Sequence, residues 1–281
     1  MSSTNTTKLQ SRIVCIGGGN MARALIGGWI ETGISANLLS VAEPNESARL
    51  ALTQDFGIQC HSDNQLAVQQ AEVWLLAVKP QLMPSVCQAL RAQADASAPL
   101  VISIAAGIST ASLQSWLGDQ ARIVRAMPNT PALIGQGATG VYAGANVASA
   151  ARDVATALMS AVGRTVWIEH EQQMDAVTAT SGSGPAYFFL LIEAMQKAAV
   201  ELGLAPETAR ELVLQTALGA SMMACDSDKT ATELRISVTS PGGTTQAALE
   251  VFNDAQFSQL VMHALSAAEA RGRELSQQFG A

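Results

Sequence analysis

With 281 residues and a hydrophobic fraction of 48%, the chain is long for one ordinary core and has material for two. A formal net charge of −7, only four lysines and no basic cluster exclude a nucleic-acid partner, because nothing would neutralise phosphates. No run approaches the ~18 consecutive apolar residues of a membrane span, and the opening MSSTNTTKLQ lacks the apolar core of a secretory signal, so residues 1–10 are expected to be a flexible tail.

Arg12 to Ile16 (RIVCI) is a short β-branched run, followed by three glycines and a helical pattern from Asn20 to Thr32. Leu38 to Ala42 reads as a second strand, with Pro44 and Asn45 turning into a helix over Glu46 to Phe56. Three more apolar runs follow, Val73 to Val78, Leu100 to Ile104 and Arg122 to Ala126, each ended by a small or turn-forming residue. Apolar strands alternating with helices indicate a doubly wound, mainly parallel sheet with functional loops at the strands' carboxyl ends. Thr139 to Ala143 and Thr165 to Ile168 could add two edge strands around a helix at Ala148 to Val162.

After about Glu169 the strand signal stops, so two domains are expected, 1–169 and an all-α 170–281. Helices are expected at Gln172 to Thr180, Pro185 to Leu202, Pro206 to Cys225, Ala231 to Ser237, Pro241 to Phe252 and Gln256 to Gln278. Pro185 to Val200 is polar only at Glu193, Gln196 and Lys197, so it must be covered, by an intrachain core or by a second subunit. The cysteines Cys15, Cys60, Cys87 and Cys225 are scattered without a C-x-x-C pair, which suggests reduced, mostly buried thiols in a cytoplasmic protein and no metal site.

Gly17-Gly18-Gly19-Asn20-Met21-Ala22 fits the dinucleotide pattern G-x-G-x-x-G/A, in the strand-to-helix context that gives it meaning. Gly17 would permit the turn, Gly19 the approach of a pyrophosphate to the helix N-terminus, and Ala22 close helix–strand packing. Glu43, ending the second strand, either accepts from an adenosine ribose, which would favour NAD(H), or is a solvated turn residue; Arg49 lies nearby.

Two further segments, Ser181-Gly182-Ser183-Gly184-Pro185 and Val238-Thr239-Ser240-Pro241-Gly242-Gly243-Thr244-Thr245, place small and hydroxyl residues before helices. They read as anion-ready helix starts, or as plain capping by Ser183 and Ser240 with proline in the first turn. The loops after the strands carry no histidine for acid–base work, and His61, His170 and His263 lie outside all these segments.

The run GGGNMARALIGGW, AVKP, SIAAG, RAMPNTPALIGQGATG, SGSGPAYFFLLIEAM and VTSPGGTTQAAL resembles pyrroline-5-carboxylate reductase nearly end to end, with RxMPNTP and TSPGGTT the most specific parts. The resemblance implies an N-terminal Rossmann domain and a helical C-terminal domain forming an intertwined homodimer, possibly a larger ring of dimers. It implies reduction of 1-pyrroline-5-carboxylate to L-proline, with Thr245 on the ring nitrogen and Ser240, Gly243 and Thr244 on the carboxylate. Ser181, Ser183 and Gly184 would lie near the nicotinamide and substrate. Asn64, Ala77, Lys79, Pro80, Ala105 and Asn129 would contact the cofactor, NADP(H) by the resemblance and NAD(H) by the chemistry of Glu43. Lys79 could equally be a capping or solvent-facing residue, and Glu233, near the site in the family, could instead pair with Arg235 or Arg210. The rival readings are a reductase of a related cyclic imine, a β-hydroxyacid dehydrogenase and a non-catalytic nucleotide-binding protein. The dehydrogenase needs a lysine near the start of the first long helix of the second domain, and Lys197 lies three turns in.

Overall fold

The computed structural model describes residues 10–279; apart from Gln10, the expected tail lies outside the described residues. The chain begins β1 (Ile13–Ile16), α1 (Asn20–Glu31), β2 (Leu39–Ala42), α2 (Glu46–Phe56), β3 (Gln59–His61), α3 (Asn64–Val68), β4 (Val73–Leu76) and α4 (Met83–Ser97). It continues β5 (Leu100–Ser103), α5 (Thr110–Leu117), β6 (Arg122–Met127), β7 (Gly137–Ala143), α6 (Ser149–Ser160) and β8 (Gly163–Trp167). Among the described residues, eight strands join one sheet in the order β3-β2-β1-β4-β5-β6-β7-β8. Neighbours run parallel except β6 and β7.

Alternation along the strands explains the layers. Ile13, Cys15, Leu75 and Ile102 point to one face, where Leu25 and Trp29 of α1 and Leu158 of α6 cover them. Val14, Ile16, Trp74 and Val101 point to the other, against Val68, Leu90 and Leu113 of α3, α4 and α5. Every residue of β1, β4 and β5 is therefore buried. Trp29 is fully buried, and its indole N–H donates to the Leu158 carbonyl at 2.8 Å, so the largest side chain of this core leaves no polar group unpaired.

The expected strands are present, and one more was not expected. β3 is three residues long and extends the sheet beyond β2 by pairing Val41 with Cys60. The chain crosses from β3 back to β4 on the far side of β1, so the strand order reverses between β1 and β4, the place where open α/β sheets bind ligands.

Beyond β8 come α7 (Met174–Val177), a π-turn over Thr178–Gly182, α8 (Gly184–Glu201), α9 (Pro206–Asp226), α10 (Ala231–Ser237), α11 (Thr244–Asp254) and α12 (Phe257–Phe279). Packing divides the chain into a unit that runs to Ser183 and takes back the chain from Ala268, and a unit Gly184–Ala267. The change to helix falls near Glu169, but the packing boundary falls later because α7 lies on the sheet. A Cβ on Gly140 of β7 would collide with Val177. The end of α12 returns to the same place, where the Ser276 hydroxyl donates to Asp175 at 3.3 Å.

In the helical unit, α8 and α9 pack on each other, yet of these two helices only Gly184, Ala209 and Val213 are buried. Phe188, Phe189 and Leu190 are each about two-thirds exposed (65%, 64% and 66%). The intrachain-core reading of Pro185 to Val200 is thereby overturned: within one chain this apolar helix is uncovered. Among the described residues, no helix is long and apolar enough to cross a membrane.

Candidate active site

The nucleotide half is built at the carboxyl ends of consecutive strands. Gly17 leaves β1 with φ +100°, and its N–H donates to the Ala42 carbonyl at 2.8 Å. A Cβ on Gly17 would stand 2.8 Å from the carbonyl oxygen of Ala77, so the loops after β1 and β4 can touch only because residue 17 has no side chain. Gly19 has a different reason to be glycine. It is the N-cap of α1 with φ −70°, no side chain caps the helix, and a Cβ there would meet no atom within 4 Å. That open space lies over the N–H groups of Asn20, Met21 and Ala22, which have no acceptor within the helix. It fits a pyrophosphate, which would use those donors and the positive helix end. Ala22 is buried against the sheet, as its place in the motif requires.

Glu43 follows β2. Its Oε2 accepts the Gly18 N–H at 3.0 Å and its Oε1 the Asn45 N–H at 3.0 Å. Arg49 donates from one nitrogen to the carbonyls of Glu43 (2.8 Å) and Pro44 (2.7 Å). The solvated-turn reading of Glu43 is overturned, because the carboxylate ties the glycine loop to the loop after β2. Asn64 is the first residue of α3, whose N-terminus Asp63 caps by accepting the Leu66 N–H at 2.9 Å. Lys79 precedes the single turn at Pro80–Leu82, is exposed, and makes no ion pair or side-chain cap among the described residues. Ala105 follows β5, half-buried. Asn129 is buried past β6; its Nδ2 donates to the Ser181 carbonyl at 3.0 Å and its Oδ1 accepts the Ala138 N–H at 2.9 Å, so its amide is committed to protein backbone.

Neither Ser183 nor Ser240 caps a helix, so the capping reading does not hold. Ser183 has right-handed helical dihedrals and its N–H closes the π-turn onto the Thr178 carbonyl at 2.8 Å. The Ser181 hydroxyl donates to the Val177 carbonyl at 3.0 Å.

In the helical unit, Pro241 does not begin a helix as expected. Ser240 to Gly243 form a turn closed by the Gly243 N–H on the Ser240 carbonyl at 3.0 Å. Pro241 holds its second position and Gly242, at φ +70°, its third, the arrangement of a type II turn. Gly243 is then the N-cap of α11, again without a side-chain cap. Thr244 and Thr245 are its first two helical residues, and the hydroxyls of Ser240, Thr244 and Thr245 make no hydrogen bond among the described residues. An uncapped helix start ringed by three free hydroxyls suits a small carboxylate. Glu233 sits in α10 in a capping box with Thr230, whose backbone N–H donates to it at 2.7 Å and whose hydroxyl does so at 2.8 Å. Those bonds hold its carboxyl below the usual glutamate range, and the alternative pairing with Arg235 or Arg210 is not formed among the described residues.

Sequence reasoning missed the Gly18–Glu43 tie and an ion pair between the buried Arg125 and the half-buried Glu171. The available signal for the latter was a charged residue in the middle of an apolar strand. Cys15 and Cys87 offer no nucleophile: burial pushes Cys87 up to about 12 and Cys15 up as well. Cys225 is exposed within one chain.

A mainly parallel sheet with a glycine loop at its switch point, joined to an apolar helical unit, defines a dinucleotide-binding oxidoreductase class. Residues 12–107 match the family described as NADP oxidoreductase, coenzyme F420-dependent, and residues 171–275 match the one described as pyrroline-5-carboxylate reductase dimerisation. The pyrroline-5-carboxylate reductase of Pseudomonas aeruginosa is 51% identical over 269 residues, spanning 96% of this chain and 98% of the relative. That of Haemophilus influenzae is 48% identical, spanning 95% and 98%. The solved pyrroline-5-carboxylate reductase of Coxiella burnetii has a TM-score of 0.91 at 42% identity, over 95% of this chain and 98% of that one. The Plasmodium falciparum enzyme, solved with NADP bound, has a TM-score of 0.84 at 30% identity, over 95% and 98%. The chain belongs to the pyrroline-5-carboxylate reductase family.

Proposed function

We propose that the protein reduces the C=N bond of 1-pyrroline-5-carboxylate to L-proline at the expense of NAD(P)H, the last step of proline biosynthesis. The observation that carries this reading is the Ser240–Thr245 turn and helix start, an uncapped anion site with free hydroxyls, in a chain 51% identical to a named reductase. A bound reduced nicotinamide supplies the hydride. The N–H groups and hydroxyls at Ser240, Gly243 and Thr244 hold the substrate carboxylate, and the Thr245 hydroxyl bonds the ring nitrogen. A cyclic imine is basic enough to arrive protonated near neutral pH, so the site must orient the ring and exclude water rather than donate a strong acid. This matches a site with no histidine in any of its segments.

The family favours NADP(H). Glu43 works against it, because a 2′-phosphate near this carboxylate would meet like charge, and NAD(H) is the competing donor. The matched dimerisation segment and the uncovered α8 support a homodimer through the helical unit, and a ring of dimers is the larger assembly we propose. The four unpaired cysteines fit a cytoplasmic protein.

The test is oxidation of NADPH, and separately of NADH, by purified protein with 1-pyrroline-5-carboxylate as the only acceptor. Turnover is expected, with Thr245→Ala losing about 100-fold or more in kcat while cofactor affinity holds. No turnover from folded, nucleotide-binding protein would sink the reading. Faster turnover of a six-membered cyclic imine would move the substrate to that ring size.

A further inference from the structure

Arg125 is a charged residue in an apolar strand, its side chain only 8% exposed. Its Nη1 donates to Glu171 Oε1 at 2.8 Å. The same carboxylate accepts the Thr110 N–H at 2.7 Å and the Thr110 hydroxyl at 2.6 Å. Three segments therefore meet at one carboxylate, and each leads directly into the nucleotide half. Thr110 opens α5, just past the loop that carries Ala105. Arg125 sits in β6, just before Met127-Pro128-Asn129. Glu171 opens the single turn that runs into α7 and the π-turn bearing Ser181.

The second and third segments touch again farther on. Asn129 donates to the Ser181 carbonyl at 3.0 Å, and Gly182 lies so close to Met127 that a Cβ there would stand 2.7 Å from the methionine methyl. Fold stability alone does not call for a buried guanidinium on a half-buried carboxylate at this place. Desolvating two charges offsets much of their attraction, and apolar replacements of similar volume are often as stable or more so. What a pair with three directed bonds supplies is fixed geometry. A π-turn needs that, since its hydrogen bonding departs from the helix on either side and such turns occur often at functional sites.

We propose that Arg125, Glu171 and Thr110 form a positioning cluster for turnover. It sets the register of the Asn129–Ser181 contact against the loop after β5, and so governs the rate of reduction rather than nucleotide affinity. The proposal rests on the reductase reading above.

The test compares wild type, Glu171→Gln and the double variant Arg125→Met/Glu171→Gln. The glutamine keeps one acceptor oxygen for the Thr110 N–H and an NH2 that can donate to the Thr110 hydroxyl, and the double variant removes both charges, so that no guanidinium is left without its carboxylate. Glu171→Gln is expected to stay within about threefold of wild-type kcat, and the double variant to lose about 10- to 100-fold, with the dissociation constant for NADPH changed less than about twofold. Amide exchange at 178–183 is expected to rise in the double variant. Wild-type kcat in a folded double variant, or a loss of NADPH affinity that accounts for the loss in rate, would overturn the proposal. If the double variant fails to fold, Thr110→Val takes its place, with a kcat loss of about three- to tenfold expected and an unchanged kcat counting against the cluster. A wild type without turnover would sink the reductase reading instead. The exchange measurement still judges the cluster then, because unchanged protection at 178–183 removes the positioning role whatever the substrate is.

Discussion

Trp29 in the sheet unit is fully buried and hydrogen-bonded, while Phe189 in the helical unit is 64% exposed. The contrast extends across the two units. Strands β1, β4 and β5 are buried at every position, whereas α10 and α11 have no buried residue. Both units are rich in Ala, Leu and Val, so composition does not separate them. The sheet can bury two faces because helices of the same chain lie on both. A few helices alone have too few layers to hide one another, and α8 is apolar almost all round. One half of this protein closes its own core, and the other carries an apolar surface that a second copy must cover, as its match to a dimerisation family indicates.

The largest expected effect comes from striking the uncovered face. Phe189→Asp should convert the dimer to a monomer, because burying an unpaired carboxylate costs several kcal/mol and a two-fold interface counts it twice. Light scattering after size-exclusion chromatography reads the mass, and nucleotide binding reads whether the sheet unit survives. A dimer that persists would break the comparison, since α8 would then be exposed in the assembly too. Striking the closed core should have the opposite signature. Trp29→Ala should cost about 3–5 kcal/mol by denaturant titration, with nucleotide binding lost in step with folding. Unfolding of both units together in that variant would show that the helical unit depends on the sheet unit as well as on its partner.

A smaller effect is expected at Glu43, where the closed unit meets cofactor. Glu43→Gln keeps an acceptor for the Gly18 or Asn45 N–H and removes the charge. The NADPH-to-NADH ratio of kcat/KM should rise about tenfold, the factor that corresponds to about 1.4 kcal/mol. An unchanged ratio would mean that the carboxylate serves only to tie the two loops together.

The closed unit was also the more legible from sequence, and for the same reason. Strands buried on both faces read as unbroken apolar runs, and Gly17 and Gly19 announce a turn and a helix start at a known offset. β3 did not show itself because it is three residues long with Gln59 exposed, so neither a run nor an alternation develops. Pro241 was misplaced because proline suits both a first helical turn and the second position of a β-turn. Only the positive φ of Gly242 decides between them. The Arg125–Glu171 pair joins residues 46 apart, so the charge within the β6 run marks Arg125 but nothing local names its partner. In the helical unit, the clustered glycines and paired threonines before α11 exceed what capping explains and mark an anion-ready helix start, but the substrate it would hold is legible only through the TSPGGTT resemblance.

The smallest expected effect concerns how the open unit holds helices that bury nothing. α10 has no buried residue, so its start depends on the Thr230–Glu233 capping box, in which Thr230 in turn accepts the Glu233 N–H at 3.2 Å. Hydrogen bonds to the charged carboxylate favour it, which is why Glu233 titrates below its ordinary value. A carboxyl depressed in the folded state contributes stability above its unfolded pKa of about 4.3, and that contribution is lost as pH falls through the lower folded value. Amide protection over Ala231–Ser237 should therefore stay level from neutral pH down to about 5 and decline only below about 4. Thr230→Val removes the hydroxyl from the box, and in that variant Glu233 should titrate closer to its ordinary value. The γ-carbon shift of Glu233 reads this directly. A Glu233 that titrates at its ordinary value in the wild type would mean that the box is not formed, and that the start of α10, like the face of α8, takes its order from the partner chain.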